Sequence, residues 1–131
     1  MEKVELPQRQ PTLRVVPMPA DVNHNGDVFG GWIMAQVDVA GGVAAMRRAR
    51  GRVVTVSVDS FLFKQPVSVG DHLSLYAEVI RVGRTSLTVK VEVFAERSFS
   101  EPYTVKVTEA QLTYVAIDQE GKKRDVPAEN K

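Results

Sequence analysis

The chain has 131 residues, no cysteine, and 17 basic against 16 acidic residues, a formal net charge of +1. One domain of this length buries roughly two-thirds of its unfolded surface, and the balanced charge gives no electrostatic ground for a nucleic-acid or membrane-surface partner. Without cysteine there are no disulfides, no thiolate chemistry and no cysteine-held metals, which fits a reducing compartment.

No apolar run approaches the roughly 20 residues that span a bilayer, and Met1-Glu2-Lys3-Val4-Glu5 lacks the apolar core of a signal peptide. The expectation is a soluble cytoplasmic protein. Residues 1–11, polar with Pro7 and Pro11, read as a loose arm. Thr12–Val16 reads as a short strand stopped by Pro17 and Pro19.

A polar loop, Asn23-His24-Asn25-Gly26-Asp27, then leads into Gly30-Gly31 and a helical segment in which, from Trp32 to Met46, only Gln36 and Asp38 are polar. A helix that is apolar all round has to be covered on every side, so it is expected to be the central buried element. Arg47, Arg48 and Arg50 suit the negative end of its dipole, with Gly51 as the expected stop.

From there the period changes to two. Arg52–Phe63 alternates Val54, Val56 and Val58 with Thr55, Ser57 and Asp59, and the turn 66–71 ends it. Leu73, Leu75, Ala77 and Val79 mark one face of the next strand, closed by Val82-Gly83-Arg84. Leu87, Val89, Val91 and Val93 give the cleanest half-buried strand. After a turn at Ser98–Pro102 comes a long strand, about Tyr103–Ile117, whose apolar face switches near Thr108–Ala110, as a bulge or strong bend would require. The tail from Gly121 reads as disordered. A strand, a buried helix and four further antiparallel strands leave one sensible packing, an α+β sheet curled around the helix. Its free edges and the open flank of the helix point to an oligomer.

The chemistry concentrates on the helix. Its first free N–H groups and positive dipole end suit a developing negative charge, and Gly30 and Gly31 let a carbonyl approach them closely. Asp38 follows Gly31 by seven residues, about 10 Å along the axis, too far for both to serve one carbonyl carbon. Two antiparallel helices across a dimer interface solve this, setting the glycine end of one subunit against Asp38 of the other. Asp38 would then be general base or nucleophile beside an oxyanion hole, an arrangement for acyl transfer to water. Against this stand plainer readings: Asp38 exposed or paired with a basic residue, Gly41-Gly42 as close packing, and Asn23 and Asp27 as loop-fixing residues. His24 and His72 carry no metal-ligand spacing, and neither a P-loop nor a GxGxxG is present.

Met18-Pro19-Ala20-Asp21, Asn23-x-Asn25-Gly26-Asp27-Val28-Phe29-Gly30-Gly31-Trp32 and Asp38 closely resemble the hotdog-fold acyl-CoA thioesterases of the YciA type. The likeness runs on through Gly51–Val56, Lys64–Asp71, Val82–Ser86 and Ser100–Pro102 to Tyr114–Asp118, about residues 12–127. It implies a curved five-stranded antiparallel sheet around one long helix, in dimers that often form trimers of dimers. It also implies hydrolysis of acyl-CoA to free acid and coenzyme A, with no cofactor beyond the coenzyme A of substrate and product. Asp38 matches the water-activating carboxylate, Gly30 and Gly31 the helix-start amides, and Asp27 a polar position that assists in the site.

Coenzyme A phosphates need cations, for which Arg52, Lys64, Arg81, Arg84 and Arg97 are candidates, Arg84 in its glycine turn with Thr85-Ser86 first among them. Asn23 and Val54-Thr55-Val56 are expected to line the substrate channel. His24 and Gln65 depart from the usual pattern, and Gln65 interrupts a basic–Pro step beside Lys64. The alternatives are a non-catalytic acyl-CoA sensor, which has no use for Asp38, and a dehydratase, for which His24 is poorly placed.

Overall fold

A computed structural model describes residues 4–98 and 100–129; Met1–Lys3 of the expected arm, Phe99 in the turn and Asn130-Lys131 of the tail lie outside them. In chain order come β1 (Leu13–Val15), a 3₁₀ turn (Pro19–Asp21), α1 (Gly30–Ala49), β2 (Val53–Phe63), β3 (His72–Val82), β4 (Ser86–Arg97) and β5 (Tyr103–Ala116). The strands make one antiparallel five-stranded sheet in the order β1-β3-β4-β5-β2. β2 therefore pairs not with the following strand but with β5, at the far edge.

α1 packs across β2, β3, β4 and β5, the hotdog arrangement that the resemblance implies. Its core face, Ile33, Val37, Ala40 and Ala45, meets Leu73 and Leu75 of β3, Val89, Val91 and Val93 of β4, and Leu112 and Tyr114 of β5. Period-two alternation on the strands and 3.6-residue spacing on the helix bring these side chains into one contiguous cluster.

The expected break in β5 is a bulge. Val93 pairs with Thr108 but the next residue, Phe94, pairs with Lys106, so Val107 is the extra residue, and Val107 and Thr108 are both buried.

Several expectations need correcting. The helix stops one residue early: Arg50 takes the left-handed conformation (φ 52°), and its amide and that of Gly51 both donate to Met46 O. Gly51 is small for another reason, since a Cβ there would lie 2.6 Å from the Arg124 guanidinium.

Residues 121–128 are held, not loose. Arg124 N donates to Ala116 O, Val126 N to Arg84 O, Arg48 to Pro127 O and Arg50 to Ala128 O, and Val126 packs on Ala49 and Leu87. At the other terminus Arg9 lies over the Tyr76 ring and beside Glu78, so the arm is docked from there.

Nor is α1 covered on every side. Met34, Val39 and Met46 are exposed, and so are Val54, Val56, Val58, Leu62 and Phe63 on the adjacent edge strand. A single chain leaves this flank open because nothing follows β2 in the sheet.

Arg97, a candidate for coenzyme A phosphate, has a structural job. Its Nε donates to Asp71 Oδ2 at 3.1 Å and its Nη2 to Pro66 O, while Asp71, 5% exposed, also accepts the Ser68 amide. Removing one partner strands the other charge in the interior. Arg97→Ala is therefore expected to destabilise the fold by about 3 kcal/mol in urea unfolding, and adding Asp71→Asn to recover much of the loss.

Candidate active site

Three local arrangements build the site. The first is the loop before α1. Asn23 Oδ1 accepts the amides of Asn25 (2.9 Å) and Asp27 (3.2 Å), and Asn23 N donates to Asp27 O (2.7 Å). The side-chain carbonyl thus folds the loop on itself, the turn chemistry that asparagine supplies. The loop-fixing reading of Asn23 is the one that this geometry supports.

The second is the start of the helix. Phe29 is the N-cap, offers no side-chain cap, and has its carbonyl occupied by the amides of Trp32 and Ile33. Among the described residues no hydrogen bond reaches the amides of Gly30 or Gly31. A Cβ on Gly31 would meet nothing within 4 Å, whereas one on Gly30 would press on the Phe63 ring at 3.3 Å. Beside them is a cavity of about 360 Å³ lined by Asp27, Val28, Gly30, Ile33, Phe63 and Lys64 among others. Unpaired donors at the positive end of a helix, next to an apolar hollow, are groups suited to stabilising a developing negative charge.

The third surrounds Asp38. The side chain is half-buried, and its Oδ1 accepts hydrogen bonds from Thr55 Oγ1 at 2.8 Å and from the Tyr114 hydroxyl at 2.9 Å. No cation pairs with it among the described residues, so the salt-bridge reading fails. Oδ2 takes no hydrogen bond there either. Burial above all, and then the Asp38 carboxylate, push the Tyr114 phenol far above the ordinary tyrosine value. It stays protonated, and it is a fixed donor.

Tyr114 is the residue that sequence reasoning missed. The tyrosine looked like one more member of an apolar strand face. The available signal was Gly41: a Cβ there would collide with the Tyr114 hydroxyl and lie 3.2 Å from its ring, so the glycine is a notch for the phenol. Gly41-Gly42 does mark close packing of helix on sheet, and the group received is polar.

The remaining candidates scatter. Lys64 lines the cavity at the helix start, and Val54 and Val56 are exposed on β2 either side of Thr55. Arg52 donates to the carbonyls of Asp118 and Gln119 at the opposite end of α1. Arg84 pairs with Asp125 at 3.4 Å on the open surface, and Arg81 is exposed on β3. Ser86 closes the Gly83 turn: its carbonyl accepts the Gly83 amide, and a Cβ on Gly83 would lie 2.7 Å from its hydroxyl. Asp38 and the free amides, at different levels of one helix, are not brought onto a single point within one chain.

A long helix with an anchored carboxylate, laid in a curved antiparallel sheet and carrying unpaired amides at its start, defines a class, and the comparisons agree with it. The chain belongs to the thioesterase superfamily, whose model matches residues 25–98. It is 47% identical over 126 residues to the acyl-CoA thioester hydrolase YciA of Escherichia coli, covering 95% of this chain and 96% of the relative. It is similar to the hexameric hotdog fold thioesterase of Campylobacter jejuni (TM-score 0.87, 45% identity, 91% of each chain). The hexameric thioesterase of Yersinia pestis gives a TM-score of 0.86 at 45% identity, covering 95% of this chain and all of that one (100%).

The notch makes a prediction about stability. Gly41→Ala is expected to cost about 1–3 kcal/mol by overpacking, more than the roughly 1 kcal/mol gained in helix propensity. Gly31→Ala, facing open space, is expected to leave the urea midpoint unchanged or slightly raised.

Proposed function

We propose that this protein hydrolyses acyl-CoA thioesters to free carboxylic acid and coenzyme A at sites shared between two protomers. The observation that carries the reading is Asp38: a half-buried carboxylate on an apolar helix, anchored through one oxygen and open at the other. A sensor needs no such group. The thioesterase relatives support the same reading, and so does the uncovered flank formed by β2 and α1.

A second copy laid antiparallel on that flank buries Met34, Val39, Val54, Val56 and Val58. It also brings the Gly30-Gly31 amides of one protomer toward Asp38 of the other. The thioester carbonyl oxygen lies on those amides and its carbon faces Asp38. As general base, Asp38 takes a proton from water as the water oxygen bonds to the carbonyl carbon. Charge gathers on the oxyanion, held by the two N–H groups, until the carbon–sulfur bond breaks and the thiolate leaves and is protonated. As nucleophile, Asp38 bonds to the carbonyl carbon, the carbon–sulfur bond breaks and coenzyme A leaves as thiolate, and water then cleaves the resulting anhydride to free acid and the Asp38 carboxylate, the proton released going to the thiolate. Asp27, in the cavity wall, positions water or polarises the thioester.

Lys64 at the cavity mouth and the cations at the other end of α1, Arg52, Arg81 and Arg84, are the groups for the coenzyme A phosphates. Thr55 with Val54 and Val56, Ser86 beside Arg84, and the Asn23 loop complete the substrate surface. No cofactor enters the chemistry. Trimers of such dimers are the expected assembly, as in the hexameric relatives, and the expected setting is the cytoplasm. Among the described residues no helix is long and apolar enough to cross a membrane.

Release of free thiol from a panel of acyl-CoAs tests the reading. Wild type is expected to turn over, and Asp38→Ala to lose about 10²–10⁴-fold in kcat with acyl-CoA binding little changed. Binding without hydrolysis by wild type would favour the sensor instead. Gly31→Ala is expected to lose at least about tenfold in kcat while unfolding like wild type, since it crowds the oxyanion site alone. Val56→Lys, on the open edge, is expected to lower the mass in light scattering and abolish turnover together.

A further inference from the structure

We infer that Tyr114 is a positioning residue for Asp38, acting with Thr55 to fix Oδ1 so that Oδ2 alone works on the substrate. The inference rests on the thioester-hydrolase reading and adds to it the group that sets the carboxylate's orientation.

The geometry is built from register. Thr55 on β2 and Tyr114 on β5 are directly opposed across the antiparallel pair. Side chains at such positions stand about 5 Å apart at Cβ, so a hydroxyl from each reaches one oxygen of a carboxylate on the helix above. Both do, at 2.8 and 2.9 Å, and the Tyr114 hydroxyl lies 3.1 Å from the Asp38 carbonyl oxygen as well. The register slips immediately after Thr55, between it and Ser57. Thr55–Tyr114 is therefore the last of three successive pairs before the slip, after Val53–Ala116 and Val54–Val115.

Tyr114 itself has little freedom. It is 1% exposed, and its phenol fits the notch left by Gly41, three residues after Asp38 and on the same face of α1. With Oδ1 taking both donors and no hydrogen bond on Oδ2 among the described residues, the two oxygens are unequal before any substrate arrives. The phenol's proton is committed to Asp38 Oδ1. Its contribution is aim: a carboxylate free to rotate would present Oδ2 correctly for only a fraction of the time, and a fraction lost there is lost from kcat.

Tyr114→Phe removes the hydroxyl and keeps the ring. The expected result, with an acyl-CoA that wild type hydrolyses, is a fall of about tenfold in kcat with KM within about twofold, while the melting temperature moves by no more than about 5 °C. Tyr76→Phe is the control, a second buried tyrosine whose ring lies against Phe94; it is expected to keep wild-type kcat. Thr55→Val is expected to resemble Tyr114→Phe. The double variant is expected to fall about thirtyfold and not about a hundredfold, because either loss alone releases the same oxygen.

Wild-type kcat in Tyr114→Phe overturns the inference, as does a loss confined to KM or a strictly multiplicative double variant. If the double variant fails to fold, the two single variants and the control decide on kcat alone. Failure of wild type to hydrolyse any acyl-CoA overturns the hydrolase reading itself, a different result from an active enzyme indifferent to Tyr114.

Discussion

An aspartate drawn partway into an apolar interior stays only if its oxygens are hydrogen-bonded or its charge is paired. Among the described residues neither lysine nor arginine answers Asp38. Two neutral hydroxyls on adjacent strands do, and both go to one oxygen. That choice explains much of the surrounding sequence: a tyrosine on an otherwise apolar strand face, a threonine between valines on β2, and a glycine in mid-helix where propensity argues against one. Replacing the hydroxyls by a cation would have made a salt bridge and closed the second oxygen.

The two ends of α1 are then complementary in function. At the start two amides have no partner among the described residues, and the space before Gly31 is clear. At the finish it does the reverse. The Arg50 and Gly51 amides, and Arg48 and Arg50 with the carbonyls of Pro127 and Ala128, tie the last turn to the C-terminal segment. Firm anchorage at one end and unsatisfied donors at the other fit a helix that presents its dipole to a ligand.

Much of this was legible in the sequence. The helix, the four long strands and the switch of face in β5 follow from periodicity, and Asp38 stands out as the one acid within the apolar run. What escaped was whatever depends on which strand lies beside which. β2 pairs with β5, so Thr55 faces Tyr114, and no local pattern announces a pairing made some 60 residues apart. The same blindness made Arg97 look free when Asp71 holds it, and made residues 121–128 look loose when their polar side chains carry a backbone stitched to Ala116 and Arg84. Gly51 was read for its conformational freedom, although the space that it leaves for Arg124 is what it provides.

The extra residue in β5 has a further effect. Up to the bulge the side chains that meet the core, Val105 and Val107, fall on odd positions, and from Thr108 they fall on even ones, Ala110, Leu112 and Tyr114 among them. A parity change seven residues upstream thus decides that the phenol points at the helix and not at the outer surface. Chain length along this strand is therefore quantised: a lineage of such proteins can lengthen or shorten the 98–102 corner freely, but a single codon gained or lost between the bulge and Tyr114 turns the anchor of the carboxylate outward.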